Sequence, residues 1–176
     1  MFNHPRRNWG GEIPTRIPLP SMRDKSSTPD DFANAYKSAL AALRDATHAA
    51  CAREAEWPDR VAAAVHAALG FAATDPAAAR LLVIDAWAQG REGALFHQRM
   101  IEAFVRLLGA GAPPDVSRPE LAEEFMVNCV VAIAVERLLA GEERELPTLA
   151  PQLVELILLP YLGAEEARVQ AMRYRH

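Results

Sequence analysis

The residues of this chain that could do chemistry are few, and they lie in loosely spaced pairs. His48 and Cys51 are three residues apart, which places both side chains on one face of a helix, where they could bind a metal ion together. A zinc site needs about three or four protein ligands, so the pair completes neither a catalytic nor a structural site. We expect no metal and no other cofactor, and interpret the pair as a surface histidine beside a half-buried thiol.

His66 and His97 form a second possible pair, with Asp85 and Glu136 as possible carboxylate neighbours. Such a set could perform general acid-base catalysis. The sequence contains no glycine-rich phosphate loop, nucleophile elbow or HExxH helix, which are the motifs that most often accompany enzyme chemistry. We therefore expect that the protein is not an enzyme. An enzyme that depends on His66 or His97 stays open as an alternative.

A set of aromatic and polarisable side chains, spread over five predicted helices, gives a stronger signal. Apolar ligand cavities are lined by such side chains together with a few polar groups that orient the ligand. Asn128 interrupts an apolar run and would need a hydrogen-bond partner if it were buried. The predicted ligand-binding residues are Trp57, His66, Phe71, Trp87, Phe96, Met100, Phe104, Phe125 and Asn128. The competing interpretation is that these side chains form an ordinary core.

The elements that position these residues are predicted to be helices. Alanine, the best helix former, is abundant throughout, and no segment shows sustained alternation of apolar and polar residues. Caps, prolines and glycines divide the chain into helices at about 29–53, 57–74, 76–90, 92–108, 117–140 and 147–160, with a short one after Gly163. A capping box at 117–120 marks the start of the fifth helix. The predicted fold class is all-α, with six to seven helices.

The chain is predicted to have one folded domain, residues 28–176, behind a leader. Residues 1–27 are rich in proline and glycine, carry five basic and two acidic residues, and are expected to be extended or disordered. This basic leader could touch a phosphate backbone without sequence preference. The net charge of −4 for all 176 residues gives no global footprint for nucleic acid.

The composition is that of a soluble globular protein, with 51% hydrophobic and 24% charged residues. The longest apolar stretch, residues 125–135, is about half of the ~20 residues that span a bilayer, so we expect no membrane segment. Two cysteines are too few for a disulfide framework. We therefore expect a cytoplasmic protein.

The fifth and sixth predicted helices are apolar around most of their circumference. A helix of this kind must be covered on all sides, and a two-fold dimer is an economical way to cover two of them. Complete burial within one chain is the alternative. The predicted dimer-interface residues are Val127, Val130, Val131, Ala134, Val154, Ile157 and Leu158.

Several short stretches resemble, in order, the C-terminal regulatory domain of TetR-family transcriptional regulators. They are DFANAY at 31–36, WPDRV at 57–61, DPAAARL at 75–81, LPTLAP at 146–151 and LPYLG at 159–163, so the resemblance covers the chain from about residue 28 to its end. It implies an all-α domain that binds a small, often hydrophobic molecule among its first five helices. It also implies a homodimer that pairs through a four-helix interface.

Family members begin with a three-helix DNA-binding head of about 45 to 50 residues, including a helix-turn-helix. Only about 27 residues precede the first helix here, and they are rich in proline and glycine. We therefore expect a regulator reduced to its sensing and dimerising domain, without sequence-specific DNA binding of its own. Loss of the head and a different true start or reading frame both remain open. A modulator that pairs with a full-length regulator is the alternative function.

Overall fold

The computed structural model describes residues 29–114 and 121–173, and every regular element in this part of the chain is a helix. The prediction of an all-α fold is therefore confirmed. The leader, the two hydroxyl residues Ser27 and Thr28 just before the first helix, and the capping box at 117–120 lie outside the described residues. The helices are α1 (Pro29–Cys51), α2 (Trp57–Thr74), α3 (Pro76–Ala88), α4 (Gly90–Gly109), α5 (Ala122–Ala140), α6 (Ala150–Leu162) and α7 (Ala164–Arg173), and a 3₁₀ segment (Glu143–Leu149) precedes α6.

Local signals set the helix ends where the sequence places them. Asp75 caps α3, since its carboxylate accepts a hydrogen bond from the Ala78 amide at 3.0 Å, and Pro76 occupies the first turn. Gly141 ends α5 in the left-handed conformation, at φ +74°, which a residue with a Cβ rarely adopts. Gly163 follows α6 at φ +80° and ψ 169°, outside the left-handed helical region but also in a conformation that favours glycine.

Helix α3 is not uniform, a feature that the sequence did not indicate. It is α-helical over Pro76–Arg80, opens into a π-helical turn over Leu81–Asp85 and returns to α-helix over Ala86–Ala88. Helix α4 then packs so closely against its end that a Cβ on Gly93 would lie 1.7 Å from the carbonyl oxygen of Ala86. Only glycine fits at this approach.

Among the described residues, the buried side chains form two clusters. One joins α2, α5, α6, α7 and the 3₁₀ segment, with Ala79 of α3 and Leu108 of α4, and the other joins α1, α3 and α4. Phe71, Val83 and Val127 are partly buried and pack against both clusters. The space between these three residues is therefore the junction of the two halves of the core.

Polar contacts hold α5 near both of its ends. The guanidinium of Arg80 donates to the carbonyl oxygen of Leu138 at 2.6 Å, and the Tyr161 hydroxyl donates to the carboxylate of Glu123 at 3.0 Å. Between these contacts only Met126 is buried, although most residues of α5 are apolar. Helix α5 is thus attached at its ends and lightly covered in between.

No single helix in the described ranges is both long and apolar enough to cross a membrane. Helices α2 and α3 pass that test only when taken together, and the chain bends by 107° between them.

Candidate ligand-binding site

A cavity of about 250 Å³ lies where the two halves of the core meet. Its walls come from six helices, α1 to α6, and from Ala110 after α4. Phe71, Val83 and Val127, which touch both core clusters, all line it. Apart from the Arg60 guanidinium and the Cys51 thiol, the described lining side chains are hydrocarbon, indole or thioether groups.

Helix α2 supplies the largest share of the lining because one of its faces follows the cavity along its length. Residues at helical spacing alternate between large and small side chains on that face, so the small ones leave room that the large ones enclose. They are Trp57, Arg60, Val61, Ala64, Val65, Ala68, Leu69, Phe71 and Ala72. The order of bulky residues and alanines along α2 therefore shapes this wall of the cavity.

Trp57 and Leu108 close one end of the cavity. The Trp57 indole Nε1 donates to the Leu108 carbonyl oxygen at 3.0 Å, and its ring packs against Tyr161 with centroids 4.7 Å apart. Both Trp57 and Leu108 are buried and both line the cavity. The hydrogen bond therefore fixes the start of α2 against the end of α4.

The π-helical turn of α3 faces the cavity on another side. Leu82 and Val83, both in this turn, are lining residues. The His97 ring of α4 is hydrogen-bonded to the backbone of Leu82, and burial lowers the pKa of His97 more than this bond raises it. His97 is therefore a neutral side chain that holds α4 against the turn. Turns of this kind occur frequently at functional sites.

Arg60 and Cys51 lie together in the part of the cavity wall formed by α1 and α2, and the side chains of Arg60 and Trp57 both approach Gly111. The Cys51 Sγ donates to the Arg60 carbonyl oxygen at 3.4 Å. Burial raises the pKa of the Cys51 thiol, while the charge of Arg60 opposes the shift. Cys51 is therefore a neutral thiol at neutral pH, and Arg60 is half-buried.

Four of the predicted ligand-binding residues line the cavity: Trp57, Phe71, Met100 and Phe104. Their spacing along α2 and α4 brought them together as the sequence indicated. Met100 is almost completely buried at 1% exposure.

The other three predicted aromatic residues do not line the cavity. Trp87 and Phe125 are 58% and 68% exposed, so their rings lie on the surface. Phe96 instead stacks on Tyr36 in the smaller core cluster, with ring centroids 5.1 Å apart. Helical spacing predicts which residues share a face but not whether a neighbouring helix covers that face. These three residues lie outside this cavity, and their role in binding a ligand stays a prediction.

The two predicted polar groups are also absent from the cavity wall. Asn128 is exposed, and its side-chain amide donates back to the Glu124 carbonyl oxygen of its own helix at 2.8 Å. His66 is half-buried on α2 but is not a lining residue, and burial lowers its pKa. Neither group is therefore placed in the wall of this cavity, and a role for either of them in ligand binding stays a prediction.

The residues predicted to form the dimer interface lie inside the single chain. Val127, Val130, Val131, Ala134 and Ile157 line the cavity. Val154 and Leu158 have no exposed surface and belong to the larger core cluster, so they offer nothing to a second copy. Val154, Ile157 and Leu158 are buried and the four residues of α5 are half-buried, and the assignment of the seven to a dimer interface stays a prediction.

The residues considered for metal binding and acid-base chemistry are not assembled. His48 is exposed while Cys51 is buried, and no group of three or more potential ligands is found among the residues that the structure describes. In the same part of the chain, Asp85 and Glu136 are exposed and neither is hydrogen-bonded to a histidine.

Sequence reasoning missed the only charged residue among the described cavity-lining side chains, Arg60. The signal was present, because Arg60 follows Trp57 by three residues and so lies on the same face of α2. Leu82 and Val83 were assigned to an ordinary helix, and nothing in the sequence signalled the π-helical turn.

No protein family, curated protein or solved structure matches this chain.

Proposed function

We propose that this chain is a small-molecule-binding and dimerising regulatory domain of the TetR type, and that the cavity between α1 and α6 is its ligand site. The observation that carries the proposal is the cavity itself, apolar and bounded by six helices at the junction of two core clusters. The sequence resemblance at 57–61, 75–81, 146–151 and 159–163 supports the choice of family.

The size of the cavity argues against a packing defect. Protein interiors contain few voids larger than a water molecule. This cavity is about 250 Å³, is partly open to solvent, and is lined almost entirely by apolar side chains. An apolar molecule that covers this lining removes it from water, which is favourable. The cavity is therefore best explained as a site that a ligand fills.

A ligand in this site would act on α5. The cavity wall includes Val127, Val130, Val131, Ala134 and Leu138, which follow one face of α5 from its second turn to its last. The helix has few buried residues of its own to resist displacement. Filling the cavity therefore favours one position of α5, which is the differential interaction that a sensor needs.

Exposed apolar side chains give the second copy a surface to cover. Phe125 and Leu139 on α5 are 68% and 63% exposed, and Leu156 and Leu159 on α6 are also exposed. Phe125 and Leu139 are fourteen residues apart, or about four helical turns, so they project from one side of α5. Exposed apolar surface of this kind is favourable to cover with a partner. In this proposal the second copy covers these four side chains.

Native mass spectrometry of the gently purified protein tests both parts of the proposal. We expect a dimer that carries an additional small mass, released on denaturation. A bare dimer that also fails to bind any apolar probe would contradict ligand sensing, and a monomer at micromolar concentration would contradict dimerisation.

The dimer surface has a matched test. Phe125→Glu should give a monomer in sedimentation velocity, because a charge at an apolar interface is costly to bury. Leu95→Glu on α4, where Leu95 is 45% exposed, is the control and should leave the dimer intact. Dissociation by both variants, or by neither, would reject this surface.

A further inference from the structure

The ligand class can be narrowed because the cavity has one charged end. Of the described residues that line it, Arg60 alone carries a charge. Arg60 lies in the first turn of α2, beside Trp57 and Cys51. A ligand that fills the cavity would therefore meet hydrocarbon along most of its length and a cation at one end.

Among the described residues, the Arg60 guanidinium makes one hydrogen bond and keeps most of its donors for another partner. Its Nη1 donates to the Ala55 carbonyl oxygen. Its Nη2 approaches Gly111, where an added Cβ would lie 3.0 Å away. A guanidinium has five N–H donors, and within residues 29–114 and 121–173 no carboxylate forms an ion pair with it. Arg60 is thus oriented by neutral backbone while its charge is left for another partner.

The remaining polar group at this end does not supply that partner. Cys51 donates its thiol proton to the Arg60 carbonyl oxygen, at 3.4 Å, and burial raises its pKa. A neutral thiol gives no negative charge to balance the guanidinium. A ligand anion can balance the charge of the Arg60 guanidinium. A carboxylate suits this role because its two oxygen atoms match two parallel N–H groups of arginine.

Resting on the proposed function, we propose that the cavity binds an amphipathic monocarboxylate, whose hydrocarbon chain fills the apolar space and whose carboxylate pairs with Arg60. The volume sets the length of the chain. An apolar cavity of about 150 Å³ holds benzene, with six carbon atoms. In proportion, 250 Å³ holds a chain on the order of ten carbon atoms.

A groove with two arginine side chains is the competing position for the ligand carboxylate. Arg44, His48 and Arg106 line it, between α1 and α4, and it shares Phe104 and Leu107 with the wall of the apolar cavity. Arg106 is 71% exposed and lies 4.0 Å from the Glu102 carboxylate. This groove is the weaker candidate, because Arg44 and Arg106 are both exposed and Arg106 has a carboxylate neighbour. Arg106 is therefore the matched control for Arg60.

The test is calorimetric titration of the full chain with decanoate and with 1-decanol, which share a chain length and differ in charge. Wild type should bind decanoate more tightly than decanol. Arg60→Gln should weaken decanoate binding roughly 10- to 100-fold, the range for a lost charge-assisted hydrogen bond, and leave decanol binding unchanged. Retained decanol binding also shows that the variant is folded. Arg60→Lys should restore part of the preference, and Arg106→Gln should change nothing.

Three results would overturn this assignment. Decanol binding to wild type as tightly as decanoate would remove the anion anchor but leave the cavity as a ligand site. A loss of decanoate binding in Arg106→Gln but not in Arg60→Gln would move the anchor to the groove between α1 and α4. Binding of neither probe to wild type would reject the anchor and the proposed function together.

Discussion

The indole Nε1 of Trp57 donates a hydrogen bond to the carbonyl oxygen of Leu108 across 3.0 Å and 51 residues of sequence. Leu108 lies in the last turn of α4, where carbonyl groups lack partners within the helix. The bond therefore does two things at once. It satisfies a buried carbonyl, and it fixes the end of the cavity by joining the first residue of α2 to α4.

Replacing Trp57 with Phe keeps an aromatic ring but removes the donor. Because the Leu108 carbonyl is then buried without this partner, we expect the free energy of unfolding to fall by about 1–3 kcal/mol. Trp87→Phe is the control, since Trp87 is 58% exposed, and it should change stability by no more than about 0.5 kcal/mol. Urea denaturation measures both. Equal effects of the two variants would count against a structural role for the indole hydrogen bond.

Gly93 is the position where α4 meets α3 most closely. An alanine there would place its Cβ 1.7 Å from the Ala86 carbonyl oxygen, so the helices must separate, and we expect a loss of about 2–3 kcal/mol. Gly70→Ala is the matched control in α2. Its Cβ would meet nothing within 4 Å, and it should stabilise the protein by about 0.5–1 kcal/mol. A neutral Gly93→Ala would show that α4 does not approach α3 as described.

Tyr36 makes the free energy of unfolding depend on pH in the alkaline range. Its side chain is 1% exposed, its hydroxyl has no hydrogen-bond partner among the described residues, and burial raises its pKa from 10.0 to about 12. The folded state thus favours the neutral phenol. This contribution is complete below pH 10 and is lost as pH rises from 10 to about 12, by as much as about 3 kcal/mol.

Tyr36→Phe should remove that part of the pH dependence. The variant should be as stable as wild type or more so at pH 7, because an unpaired hydroxyl leaves the core. Denaturation at pH 7, 9 and 11 compares the two proteins. The same decline in both between pH 9 and 11 would contradict the role of Tyr36.

Two aromatic residues predicted for the same site should respond differently to truncation. Phe104 lines the cavity, so Phe104→Ala should weaken 1-decanol binding roughly tenfold, the equivalent of losing one or two buried methylene contacts. Trp87 is exposed and does not line it, so Trp87→Ala should leave the affinity unchanged. Calorimetric titration distinguishes the two variants. A weaker affinity of Trp87→Ala for 1-decanol would place the binding site elsewhere.

The helices could be predicted from the sequence because their ends are marked locally. Asp75 with Pro76 starts one helix and Gly141 stops another, and neither signal depends on the rest of the fold. Four cavity residues could be predicted for a related reason, since Trp57, Phe71, Met100 and Phe104 lie on helix faces rich in apolar side chains.

The division between core, cavity and surface could not be predicted in the same way. A helix that is apolar all round has no polar face to show its orientation. In α6, Val154 and Leu158 are completely buried while Leu156 and Leu159 are exposed, although all four are apolar. In α5, Val130 lines the cavity while Phe125 faces outward. These assignments depend on which helices pack nearby, and that information is not local.

The most direct test of the account fills the cavity from inside. Ala134 lines it on α5, and a benzene-sized group needs about 150 Å³, so Ala134→Phe would occupy more than half of the 250 Å³. Ala140→Phe adds the same ring at an exposed position of the same helix. In calorimetric titrations with 1-decanol, wild type and Ala140→Phe should bind equally, and folded Ala134→Phe should bind at least tenfold more weakly. Undiminished binding by folded Ala134→Phe would contradict the claim that this cavity is the ligand site.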